Sequence, residues 1–364
     1  MGIIYSFCFG NAAGHNSNSR ASEYKVDDEV ATGQPVKTYS WDKRRALDPR
    51  DYTLDGLRDQ VVTRAPGTVD GQQFIIQNCQ GCTISLFDHS ATVTIDDCVN
   101  CNILIGPCKG SIFIRDCSDC RMILACQQYR TRDCKNMDTF LLCQTQPIIE
   151  SSVQMRFGCL QLNYDHFQEH LDLAKLSVFN NHWSKIHDFT PAEGGLNYSY
   201  VSEDSDPLSV VRIVVPDGSS THNVRSDQES SLVPLTLGKR TRPSKEVCFC
   251  LLFTDKPDTN VRDRCLDMIK HVSREAGCRL MATAQVHMTS SDVERLTGVK
   301  GIYNDISTKG PIVAMEWSGP NAPNACRHYI KQQAYSHAAY TVDGQQAAAQ
   351  LKEFYNYVDM QHGV

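Results

Sequence analysis

Residues 93–120 read VTIDDCVNCNILIGPCKGSIFIRDCSDC, so the string Asp-Cys-x-x-Cys returns 19 residues after its first appearance. Working outward, an acidic or Asn residue precedes Cys at Asn78-Cys79, Asp97-Cys98, Asp116-Cys117 and Asp133-Cys134, at spacings of 19, 19 and 17 residues. A second column follows three residues behind at Cys82, Cys101 and Cys120, and a third is read through Cys108, Cys126, Cys143 and Cys159. A fixed period near 20 residues is the mark of a coil that repeats. The positions around the cysteines alternate: Phe74/Ile76, Val93/Ile95 and Ile112/Ile114 before the first column, Ile84/Leu86, Ile103/Ile105 and Met122/Leu124 after the second. Alternation of this kind gives short strands with one buried face. Stacked coils bring equivalent side chains to about 4.8 Å, turning each cysteine column into an interior ladder of small apolar thiols. The pattern predicts a right-handed parallel β-helix of roughly five turns, capped at both ends.

The rest of the chain divides around this repeat. Residues 1–37 are rich in Asn, Ser and Gly and read as a flexible tether; residues 38–200 hold the β-helix, with aromatics of 39–51 capping one end and Phe179, Trp183 and Phe189 the other. Residues 201–245 lack periodic runs and read as a linker. From 246 to 364 the buried-strand run Val247–Phe253, a helical stretch from Asn260, a strand from Leu280, a further helix and the apolar strand Pro311–Trp317 predict a smaller α/β ferredoxin-like domain, closed by a helix from Gly344 to Tyr357.

Of 364 residues, 41% are hydrophobic and 21% charged, and the net charge is −6. No basic cluster exceeds Lys43-Arg44-Arg45, which argues against nucleic acid as a partner. No stretch approaches the ~20 apolar residues that cross a bilayer. The odd count of 17 cysteines, most facing inward, fits reduced thiols in the cytosol. Met1-Gly2-Ile3-Ile4-Tyr5-Ser6 satisfies the myristoylation pattern. One acyl chain holds a membrane only marginally, and Cys8 is the thiol placed to add a second by palmitoylation.

Two readings of the repeat compete. Cys79-x-x-Cys82 followed by Cys98-x-x-Cys101 meets the numerical template of a four-thiolate zinc site. The pair recurs at Cys117-x-x-Cys120 in step with the hydrophobic alternation, which a closed tetrahedral site does not require, so the structural ladder is preferred and no metal is assigned. A second departure carries more chemistry. In the segment Cys126-Gln127-Gln128-Tyr129-Arg130-Thr131-Arg132-Asp133-Cys134, Gln128 and Arg130 share the outward parity of a strand. One coil later, Glu150 of Pro147-Ile148-Ile149-Glu150 reaches the same surface, where an acid beside an arginine would hold a fixed positive fork. A solvated surface ion pair is the plainer reading of that spacing.

The strings FDHSATVTIDDC, GPCKGSIFIRDC, ACQQYRTRDC, TQPIIESS and NNHWSKIHDFTP, with FYNYVDMQHGV at the end, resemble the family of the retinitis pigmentosa two protein and, more distantly, tubulin-folding cofactor C. The resemblance is dense over residues 38–200 and looser beyond. It implies a β-helix domain that activates small GTPases, an ADP-ribosylation-factor-like GTPase of type three being the best guess for the partner in its GTP state. The family's Gln-Gln-x-Arg motif falls on Gln127, Gln128 and Arg130, which makes Arg130 the arginine finger supplied in trans. Gln128 and Glu150 would contact the partner and orient Arg130, Phe189 would belong to the partner-binding surface, and Arg132 would sit at its rim. GTP and Mg²⁺ belong to the GTPase, so no cofactor of this chain's own is implied. Acylation at Gly2 and Cys8 would place the event on the cytoplasmic face of the plasma membrane, at the cilium or basal body, where it controls release of lipidated cargo. A tubulin-folding or scaffolding module without GTPase activation is the alternative.

The C-terminal strings Lys256-Pro257-Asp258 and Pro311–Ala322 resemble nucleoside diphosphate kinase. That chemistry needs a nucleophilic His in a strand-borne His-Gly-Ser-Asp setting. His328 and His337 lack it, so the fold is expected without the kinase activity.

Overall fold

The structure is a computed structural model that describes residues 48–213, 223–256 and 260–362. Gly2 and Cys8 and the whole expected tether lie outside them. After a 3-10 turn at Pro49–Tyr52 come the solenoid strands β1 (Thr53–Asp55), β2 (Val61–Arg64), β3 (Phe74–Gln77), β4 (Thr83–Leu86), β5 (Val93–Asp96), β6 (Asn102–Arg115), β7 (Arg121–Arg132), β8 (Lys135–Cys143), β9 (Ile148–Glu150) and β10 (Val153–Cys159). Helix α1 (Phe167–Ala174), β11 (His187–Asp188), β12 (Tyr198–Tyr200) and α2 (Pro207–Val210) follow. The second domain runs β13 (Val247–Leu252), α3 (Val261–Ser273), β14 (Arg279–Val286), α4 (Ser290–Thr297), α5 (Asn304–Ser307), β15 (Ile312–Ser318), α6 (Ala322–Lys331), β16 (Ala339–Asp343) and α7 (Gly344–His362).

All solenoid pairings are parallel. One face stacks β1, β3, β5, the second halves of β6 and β7, β9 and β11; another stacks β2, β4, the first halves of β6 and β7, β8, β10 and β12. The third side is a row of single bridges, Arg58 to Gln80 to Val99 to Ser118 to Lys135. The coils number about six, one more than the cysteine spacing suggests.

The Asx-Cys repeat has a backbone cause. Asn78, Asp97, Asp116 and Asp133 all sit at the coil corner with φ between 51° and 55°, and Gly81, Asn100, Asp119 and Asn136 turn the next corner with positive φ as well. Only Gly, Asn and Asp enter this left-handed region cheaply. The residue after each corner points inward, where the tight bend leaves room for something small. Cys fills it at seven of these eight corners, Met137 following Asn136 at the last, and the thiol donates to the carbonyl two residues back, at 3.2 Å for Cys79 to Gln77, 3.3 Å for Cys98 to Asp96 and 3.1 Å for Cys117 to Arg115. The ladder continues past the cysteines: Ser151 is the next left-handed corner and buried Ser152 the next inward residue, its hydroxyl accepting from Cys134 N–H at 3.2 Å. Asp116→Val should therefore destabilise by about 1–3 kcal/mol, since a β-branched residue is strained at φ 52°, whereas Asp116→Asn should be near neutral in a thermal melt.

One expectation about the cysteine columns is corrected. Cys108, Cys126 and Cys143 stack in register, but Cys159 lies opposite Leu141, two residues off that column, and its thiol donates to the Pro234 carbonyl at 3.3 Å. The thiols of the CxxC pairs donate to the carbonyls two residues back along both columns. No disulfide joins the described cysteines, all of which are buried.

Of the expected linker 201–245, the described residues from 223 onward pack against both domains. Val233 and Thr236 are buried, Thr236 Oγ1 accepts from Trp183 Nε1 at 3.0 Å, and Leu237 and Gly238 N–H groups bond to Leu280 and Met281 carbonyls at 2.9 Å. The second domain is a four-stranded antiparallel sheet ordered β14-β15-β13-β16, the split β-α-β arrangement of a ferredoxin-like fold. Its edge strand β14 docks on the solenoid. Thr283 Oγ1 donates to the Phe179 carbonyl at 2.8 Å, Gln285 N–H to Asn180 Oδ1 at 2.6 Å and Ser177 Oγ to Gln285 Oε1 at 2.7 Å. These bonds cover a strand edge that would otherwise be free to pair with another chain.

Candidate partner-binding face

The first solenoid face decides which side chains reach solvent. Parallel register sets Thr94, Phe113, Arg130, Ile148 and His187 in one outward column, and Asp96, Arg115, Arg132 and Glu150 in the next. Between these columns Ile95, Ile114, Thr131 and Ile149 point inward, with Tyr129 inward one step earlier, so the strand that carries Arg130 is pinned by buried residues on both sides of it.

Arg130 is exposed, and its guanidinium makes no hydrogen bond or ion pair among the described residues. Its neighbours in the column are Phe113, 39% exposed, and Ile148, each about one strand spacing away. Phe189 follows Asp188 on the last coil, its N–H bonded to the Ile149 carbonyl at 2.9 Å; the ring is 60% exposed and packs edge-on to His187 with centroids 4.6 Å apart. A cation with no partner among the described residues thus stands between Phe113 and Ile148 in its own column, while Phe189 lies two coils on in the neighbouring column, level with Glu150.

The expected acid does not hold it. Glu150 is in register with Arg132 and not with Arg130, because each strand offset of two residues moves the side chain one column along. Arg132 instead lies 3.3 Å from Asp133. The same outward column has a bidentate pair one coil before, Arg115 to Asp96 at 2.6 and 2.8 Å. Gln128 shares the outward parity as expected and is fixed by Ser111 Oγ, which donates to its Oε1 at 2.9 Å. Gln127 sits at a bulge where it faces both Lys109 and Gly110, since Cys126 pairs with Cys108 and Gln128 with Ser111. The bulge turns Gln127 out of the column, into a cleft of about 360 Å³ shared with Lys109, Gln144, Thr145, Lys175 and Asn180.

Phe113, Ile148 and His187 were not singled out in the sequence. The signal was present for Phe113, an aromatic at the outward parity where the coil before has Thr94. His187 needed the register across β9 and β11, which no spacing rule gives.

Elsewhere, two groups bring three potential metal ligands together among the described residues: Cys248, Cys250 and Cys326, and Asp88, His89 and His170. In the second domain, exposed His337 lies 3.7 Å from Asp255, and His328 Nε2 bonds Gln332 at 2.9 Å on α6. Neither histidine sits on a strand in a phosphate-binding setting.

A parallel β-helix that displays an unpaired arginine from its flat face, joined to a small α/β domain, defines the class. Residues 71–189 match the family described as tubulin binding cofactor C. Over nearly the whole length, the chain is 42% identical to Protein XRP2 of Xenopus laevis, covering 98% of this chain and 99% of that protein, and 44% identical to Protein XRP2 of Homo sapiens, covering 90% and 93%. The chain belongs to the XRP2 family. Tubulin binding cofactor C from Leishmania major aligns at 20% identity over 38% of this chain and 85% of that one, with a TM-score of 0.27, too loose an overlap to bear on function.

Proposed function

We propose that this protein is a GTPase-activating protein for an ADP-ribosylation-factor-like small GTPase, that of type three, with Arg130 as the finger. The observation that carries the reading is an exposed guanidinium, unpaired among the described residues, on a rigid strand between Phe113 and Ile148, with exposed Phe189 on the same face two coils on. Phosphoryl transfer spreads negative charge over the γ-phosphate oxygens, and a guanidinium donated into that site in trans stabilises it. An arginine already paired to an internal carboxylate would first have to break that pair; Arg130 has none among the described residues. Phe189 supplies an aromatic anchor of the kind that dominates interface energetics. Gln128, held by Ser111, and Glu150 offer polar contacts at the rim of the same face.

The test is single-turnover GTP hydrolysis by that GTPase with and without the full chain. Stimulation that saturates with added protein supports the reading, and a complex that forms in the GTP-like state without acceleration supports scaffolding instead. Phe189→Ala should weaken the complex by about 2 kcal/mol, roughly 30-fold in Kd, while leaving the melting temperature unchanged, because the ring is largely in solvent. We also propose that Gly2 is myristoylated, with Cys8 as the second acyl site; incorporation of a myristate analogue that persists in Gly2→Ala would remove this part of the reading.

A further inference from the structure

The turn after β4 and helix α1, far apart in the chain, bring Asp88, His89 and His170 together so that one ligand atom from each lies within 4.8 Å of the others. His89 Nδ1 is 3.2 Å from Asp88 Oδ1, and His170 Nε2 is 3.6 Å from the same oxygen. Two ligands bound at about 2.0–2.2 Å to one tetrahedral ion stand roughly 3.3–3.6 Å apart, so these atoms need to move little to share one. We propose that Asp88, His89 and His170 bind a divalent transition-metal ion, with Zn²⁺ the physiological case, tying α1 to the solenoid turn.

The surroundings are those of a built site. Asp88 Oδ2 accepts from the Val69 and Asp70 N–H groups at 2.7 and 2.8 Å, and Oδ1 from His89 N–H at 2.8 Å, which fixes the carboxylate with Oδ1 toward both rings. Nδ1 of His170 lies 3.1 Å from the Tyr164 hydroxyl, the outer-shell bond that orients a ligating imidazole and leaves Nε2 to the ion. Gly71 packs beside the His89 ring, and a Cβ there would come within 3.0 Å of Nε2. The Asp88 and His170 side chains are 1% and 5% exposed, but His89 is 15% exposed, so the group opens to solvent on one side, where a water can complete the coordination. Imidazole nitrogens select a transition ion over Mg²⁺ or Ca²⁺. The three thiols of Cys248, Cys250 and Cys326 are the weaker candidate: all are 0% exposed in an apolar core, with no fourth ligand grouped with them among the described residues, and binding there would bury net negative charge. Helix α1 ends at Ala174, which together with Lys175 lines the cleft that contains Gln127, so the ion would stiffen one wall of that cleft.

The experiment titrates the chelator-treated full chain with Zn²⁺ by calorimetry and with Co²⁺ by visible absorption. The wild type should bind one equivalent, with a Co²⁺ ligand-field band free of thiolate charge-transfer absorption and a raised Tm. His89→Ala and His170→Gln, checked for folding by circular dichroism, should lose at least about 100-fold in affinity and the Tm response, and Tyr164→Phe about 10-fold. The proposal is overturned if the folded histidine variants bind as the wild type does, if the wild type binds neither ion, or if Co²⁺ shows thiolate ligation.

Discussion

Arg130→Ala is expected to leave the protein folded and bound to the GTP form of its GTPase while stimulation of hydrolysis falls by about 10³–10⁵, the usual worth of an arginine finger. The separation of the two effects follows from the structure. Arg130 has no internal polar partner among the described residues, so its loss removes no hydrogen bond that stabilises the solenoid. The apolar contacts of Phe113, Ile148 and Phe189 remain to hold a partner. Arg130→Lys should recover little, because a point charge lacks the planar fork that meets two phosphate oxygens at once. Single-turnover hydrolysis and a binding isotherm on the same variant check this; full stimulation by Arg130→Ala would remove Arg130 from the mechanism, and loss of binding would make it an anchor and not a finger.

Tyr129→Ala, one residue away, should do the reverse: lower stability by about 3–5 kcal/mol, on the order of 10 °C in Tm. Tyr129 is 0% exposed, its ring meets Phe157 edge-on at a centroid distance of 5.7 Å, and its hydroxyl lies 3.3 Å from Thr139 Oγ1 across the coil interior. Burial pushes its phenol well above the ordinary range, so it stays neutral and hydrogen-bonded at every physiological pH. Truncation opens a cavity that stacked coils cannot collapse, because each is held at strand spacing by its neighbours. Tyr129→Phe keeps the ring and loses only the hydroxyl pair, at about 1 kcal/mol. Thermal and urea melts distinguish the two, and equal losses would show that the hydroxyl and not the volume matters.

The solenoid was legible because its period is written in backbone chemistry. Most corners take a left-handed residue followed by a small inward one, which yields Asx-Cys or Gly-Cys with no reference to distant contacts. The same local rule hid its own continuation, since Ser152 fills the cysteine place without the cysteine signal. The second face was legible in a different way. Runs such as Ile103-Leu104-Ile105 and Met122-Ile123-Leu124-Ala125 are apolar at both parities, because Leu104 and Ile123 point outward into a cluster with Leu160, Phe167 and Leu171. The covering segment itself, and the docking of residues 223–245 between the domains, could not be read, because those contacts are made by residues far apart in sequence with no period of their own.

By itself the sequence determined a stacked, thiol-lined coil, the outward parity of Gln128 and Arg130, and a second α/β unit, since all three follow from side-chain period and corner conformation within a few residues. Only the tertiary structure decided that Glu150 stands over Arg132, leaving Arg130 unpaired among the described residues, and that Phe113 and Ile148 flank Arg130. Register between coils depends on how many residues each loop spends between strands, and that count is settled by packing over the whole stack rather than by any one segment.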